Sequence, residues 1–144
     1  AGVLLWVGQT EQRIAEVEEA VDLALAVLQL SDDWVDWMED LPEANRNSFL
    51  TIVKEKLAGS TPLELDEQSV KRAIYHRGAV LQLAEIAEHY QGRMRQIPQA
   101  LARLLTYQET IVQHLRETAE RIKRAVDDLA AHGGMSQLVL TMNK

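Results

Sequence analysis

The sequence predicts an all-α protein: a single-domain helical bundle of about five helices, one long and heptad-patterned. Three observations carry this reading. From Leu101 to Leu129 a seam recurs in alternating steps of four and three, through Leu105, Gln108, Val112, Leu115, Ala119, Ile122 and Val126. That is the spacing of a coiled-coil-type helix, which needs partner helices to cover it. Apolar residues make up 47% of the 144-residue chain, enough for one real core. Seven Gly and three Pro leave little of the chain built for loops.

The elements follow in order. Residues 1–8 are apolar up to Gly8 and read as a short strand or extended arm. Thr10 is a natural N-cap, with Glu11 in the first turn where the helix dipole favours an anion. A first helix then runs to about Leu30. It has one stripe of Ile14, Val17, Val21, Ala24 and Leu28, and a second of Ala20, Leu23, Val27 and Leu30. From Ala20 onward it is therefore apolar over most of its circumference and central. Ser31 caps a second, short helix that ends at Leu41-Pro42, because a residue before proline avoids the helical region. A third helix starts at Pro42, buries Phe49, Leu50, Val53 and Leu57, and stops at Gly59.

Residues 59–66 form the linker, in which Thr61-Pro62-Leu63-Glu64 has the form of a capping box and Asp66 is a second cap. A fourth helix over 67–91 buries Val70, Ala73, Ile74, Val80, Leu83, Ala84, Ala87 and Tyr90. Gly78 inside it marks close helix packing, and Gly92 terminates it. Pro98 starts the fifth helix, which stops at Gly133-Gly134. The β-rich tail 137–141 is a second candidate arm, able to pair with residues 3–7 or with a partner's sheet edge.

The bulk composition excludes several classes. There is no Cys, so disulfide frameworks, thiolate metal sites and Cys nucleophiles are absent. No apolar run approaches a membrane span. The short run Val3–Val7 suits an extended arm or the edge of a membrane segment in a longer protein. The compartment is not fixed by the sequence, though it leans to the cytoplasm. Residues 1–66 hold 4 Lys/Arg and 14 Asp/Glu (−10), and residues 67–144 hold 11 and 8 (+3). The two fields neutralise one another when the halves pack, or they help copies assemble. No dense basic stripe favours nucleic acid.

The segment Ser31–Glu43 is the strongest candidate surface, with six acids and two of the three Trp. On a helix Trp34, Trp37, Met38 and Leu41 share one face while the acids fan around the other. This pattern fits either a capped helix docked on the core or a partner-binding knob of Trp34, Trp37 and Met38 rimmed by Asp36 and Asp40. The four histidines, His76, His89, His114 and His132, lack the Glu-x-x-His order of di-iron bundles. No phosphate-binding loop, nucleophile elbow or His-Glu-x-x-His motif is present. Gln108 in the seam reads as a register-setter, with Tyr107 beside it at the boundary.

Glu16-x-x-Glu19, followed by Asp33-x-x-Asp36, resembles the carboxylate pattern of all-α nucleotide pyrophosphohydrolases of the MazG and dimeric dUTPase kind. Those proteins place Glu-x-x-Glu and Glu-x-x-Asp on adjacent helices to hold magnesium for pyrophosphate cleavage. The resemblance is confined to some twenty residues, and Asp33 stands where the pattern has Glu. It implies a magnesium-dependent hydrolase using Glu16, Glu19, Asp33 and Asp36, which is the alternative reading.

The main expectation is a non-enzymatic helical protein acting through protein–protein contact, an adaptor, regulator or accessory protein without cofactor or metal. Leu104 and Ile111 lie outside the main seam of the long helix, and the first helix is apolar nearly all round. One copy of the chain leaves these surfaces uncovered, so a homo-oligomer, most simply a two-fold dimer, is expected.

Overall fold

The computed structural model describes residues 2–58, 65–98 and 102–131, with side chains from residue 10 onward. Among the described residues it is all-α and about 90% helical, with no strand. The elements are α1 (Gly2–Val35), α2 (Trp37–Asp40), a 3-10 segment (Leu41–Arg46), α3 (Ser48–Lys56), α4 (Glu67–His76), α5 (Ala79–Arg95) and α6 (Ala102–Ala131).

The first correction concerns the N-terminus. Residues 2–8 are not a strand or arm; they are the first turns of α1, which is one unbroken helix of 34 residues. Extending an existing helix adds a backbone hydrogen bond for each residue fixed, whereas a lone strand has no ladder to join. Gly8 is carried inside the helix at a cost of ~1 kcal/mol. The C-terminal tail 137–141 and most of the linker, residues 59–64, lie outside the described residues.

The second correction concerns the junction after residue 30. Ser31 does not cap a helix; α1 runs through it to Val35. Pro42 opens a 3-10 segment rather than a third α-helix, and this segment breaks at Glu43 (φ −120°, ψ 46°). The cap of α3 is Asn47, whose side chain accepts from the Leu50 N–H. Asp66 caps α4 through a reciprocal box with Ser69.

The third correction concerns the two central glycines. Gly78 does not lie inside a helix; it separates α4 from α5 in the left-handed region at φ 66°. A Cβ there would meet nothing within 4 Å, so the glycine provides the backbone turn and not a close approach. Gly92 does not end its helix, because α5 continues to Arg95. The stop comes before Pro98, whose ring disfavours helical geometry at Ile97.

The main core joins both halves of the sequence. Val27 and Leu30 of α1 meet Phe49, Leu50 and Val53 of α3, Val70 and Ala73 of α4, Leu83 and Ala87 of α5, and Val112, Leu115 and Ala119 of α6. A second cluster places Ala20, Leu23 and Ala24 of α1 against Met94 and Ile97. An ion pair of 3.2 Å between Arg93 and Glu19 also crosses between the acidic and basic halves. Along α6 the stripe is buried from Gln108 to Ala119, but Leu105, Ile122, Val126 and Leu129 are only half-buried. Leu101 lies outside the described residues.

Candidate functional site

The end of α1 carries the acidic, Trp-bearing segment, and the fold turns its two indoles inward. Trp37 is buried, 6% exposed, in the main core. Trp34 is half-buried and meets the Phe49 ring edge-on, with centroids 5.0 Å apart and planes at 79°. Both indoles therefore anchor the junction between α1 and α3, and neither stands out as a knob. Its exposed large apolar side chains are Val35, 72% exposed, and Met38, 54% exposed. Asp36 is half-buried between α1 and α2 and makes no side-chain cap bond.

Below the indoles lies a polar latch that sequence reasoning did not find. Asp33 is buried; its Oδ1 accepts from Gln29 Nε2 at 2.8 Å and its Oδ2 accepts from the Ser48 N–H at 2.7 Å. Asn47 is buried beside it, and its Nδ2 donates to the Asp33 carbonyl and to Asp40 Oδ2, both at 2.9 Å. Asn47 Oδ1 accepts from the Leu50 N–H at 2.9 Å. The Asp33 carboxylate thus sits at the N-terminus of α3, where the helix dipole and an otherwise orphan N–H both favour an anion. Asp40 is tied into the same latch and is only half-buried. A sequence signal existed: Asn47 just before the apolar run of α3 is a strong N-cap residue.

Glu16, Glu19, Asp33 and Asp36 do not converge. The first three share the single helix α1 and Asp36 follows it directly, so the two pairs are separated by ~21 Å along the axis. Glu16 accepts from Gln12, Glu19 pairs with Arg93, and Asp33 is committed to the latch. Among the described residues no group of three or more His, Asp or Glu is placed to hold a metal ion.

His76, His89 and His114 are exposed, and His132 lies outside the described residues. Gln108 is fully buried; its Nε2 donates to the Leu23 carbonyl of α1 at 3.2 Å, while its Oε1 has no protein partner. Tyr107 beside it is exposed. A cleft of about 460 Å³ lies where α6 passes the turn at Gly78, with Ile74, Tyr75, Leu81, Ile122 and Val126 on its walls. Arg116 at its edge is bound to Glu88, which raises the guanidinium pKa further above its ordinary value.

An exposed apolar row lies on α1. Ile14 and Leu25 are each 55% exposed, Val21 is exposed, and Val17 and Leu28 are half-buried between them. Steps of three and four place all five along one face. No side chain from Thr10 to Glu19 is buried, so this stretch of α1 lies outside the core. The stripe of Ile14, Val17, Val21 and Leu28 was legible in the sequence; the fold adds that Ile14, Val21 and Leu25 stay open to solvent. Comparison with protein-family models, with curated proteins and with solved structures finds no match.

Proposed function

We propose that the protein acts through helix-mediated protein–protein contact, as a self-associating helical bundle of adaptor or accessory type, with no catalytic step of its own. The observation that carries this reading is the apolar face of α1, with Ile14, Val21 and Leu25 open to solvent in one row. Isolated exposed apolar side chains are ordinary, but a contiguous row on one helix marks a surface that is covered in use. The acidic segment contributes a smaller part. Trp34 and Trp37 brace it from within, and Val35 and Met38 form its open apolar contact with Asp36 beside them.

Sedimentation of the full chain from one to a hundred micromolar tests the proposal. A mass that climbs with concentration above 16.3 kDa supports it. A single-chain mass throughout, in low salt, removes self-association from the reading.

A further inference from the structure

The continuity of α1 joins two sequence features that looked separate. With residues 2–35 in one helix, Val3, Val7, Thr10, Ile14, Val17, Val21, Ala24 and Leu28 fall at alternating steps of four and three. This is an unbroken heptad row, with Val7, Ile14, Val21 and Leu28 at one core position (a) and Val3, Thr10, Val17 and Ala24 at the other (d). In the N-terminal half of α1, from Thr10 onward, no side chain is buried before Ala20, so Thr10–Glu19 run about 15 Å along the axis outside the core.

We infer that this half of α1 pairs in parallel with the same helix of a second copy of the chain. The inference rests on the self-associating reading above and names its surface. Two arguments select the occupant. The β-branched residues Val7, Ile14 and Val21 at position a suit parallel strands. Charge then fits the helix to itself. In a parallel pair, position g of one helix lies beside position e five residues further along the other. Arg13 occupies g and Glu18 occupies e, so each Arg13 meets the Glu18 of the second copy, twice over. Among the described residues neither Arg13 nor Glu18 has an ion-pair partner within its own chain. An unrelated acidic helix would leave Glu11 and Glu18 facing like charge.

The core leaves room for this pairing. Ala20, Leu23, Ala24, Val27 and Leu30 are buried in the chain's own core, so the free part of the row ends before Ala24; at 3.6 residues per turn the five centre roughly 120° around the helix from Ile14, Val17 and Val21. The pairing face therefore points away from the chain's own core, and two cores splay to either side of the paired helices.

Four variants of the chain test it. Ile14→Glu places a charge in the row at an exposed position, and it is expected to raise the dissociation constant at least tenfold while the thermal melt, taken at a concentration where wild type is monomeric, stays unchanged. Arg13→Glu alone weakens association, and Arg13→Glu combined with Glu18→Arg restores it, which a general effect of net charge would not do. The natural chain has no Cys, so Val21→Cys introduces a lone thiol. Parallel pairing brings two such thiols together, and mild oxidation yields a covalent dimer. Antiparallel pairing of the same half-helices holds them roughly 30 Å apart. Association that is unchanged in Ile14→Glu overturns the inference and leaves self-association through another face. A wild-type chain that is monomeric at every concentration overturns both readings. Failure of the charge swap to rescue, or of Val21→Cys to cross-link, overturns the parallel register.

Discussion

Removing the Asn47 side chain should cost more than any surface change in the protein. Asn47→Ala deletes three hydrogen bonds, to the Leu50 N–H, the Asp33 carbonyl and Asp40 Oδ2. Loss of the helix cap alone costs about 1 kcal/mol. The two donated bonds contribute about 0.5–1.5 kcal/mol each, and more where the group left behind is buried and dry. The sum is about 2–4 kcal/mol, or a fall in Tm of about 6–15 °C for a chain of this length. Asn47→Asp separates the cap from the donors, because it keeps the acceptor for Leu50 but turns an oxygen toward the Asp33 carbonyl and the Asp40 carboxylate. A carboxyl in that position has its folded pKa raised, since its charged form is the one opposed. Its penalty relative to wild type is therefore absent below the unfolded value near pH ~3.9, grows as the pH rises, and is complete above the folded pKa. Urea unfolding followed by circular dichroism at neutral pH and near pH 4 measures both variants. If both stay within about 0.5 kcal/mol of wild type at pH 7, the latch is not holding α1 to α3.

Other outcomes follow from the same packing. Leu115→Ala, at a fully buried position, should cost ~2–5 kcal/mol, whereas Ile122→Ala, half-buried beside the cleft, should cost clearly less; equal losses in chemical denaturation would mean that α6 is covered to its end. Gln108→Leu removes a buried carbonyl oxygen that has no protein partner along with a single hydrogen bond, and should leave the melt unchanged or raised; a fall of several degrees would show that the amide is fully satisfied. The Asp66 carboxyl is held below its usual pKa by the Ser69 backbone N–H and hydroxyl, so its cap on α4 persists above the unfolded value and is lost as the pH falls through the folded one. Asp66→Asn should flatten that acid limb of the stability curve. Met38→Ser should change stability by less than about 0.5 kcal/mol, and a larger loss on thermal melting would mean that the exposed end of the acidic segment is packed after all.

The local pattern alone determined that this chain is helical and which face of α6 turns to the core, though only its middle, Gln108 to Ala119, is buried and Leu105, Ile122, Val126 and Leu129 are half-buried. Val112, Leu115 and Ala119 could be named because heptad spacing reports one face of a helix directly, and Asp66 because a capping residue acts on its own turn. Composition likewise settled that no helix is long and apolar enough to cross a membrane, as holds among the described residues. Tertiary structure decided what each surface meets. No local rule told whether Trp34 and Trp37 face a partner or Phe49, because an amphipathic helix has the same pattern in both cases. Glu16-x-x-Glu19 and Asp33-x-x-Asp36 looked like a site only while a helix boundary was placed between them; the unbroken α1 spreads them along its axis. That continuity was illegible because Gly8 and Ser31 are ordinary helix stops, and either stop is overridden when the next residue gains a hydrogen bond from a helix already formed. Burial of Asp33 was equally hidden, since a carboxylate enters a core only where a distant chain segment, here the start of α3, presents donors to it.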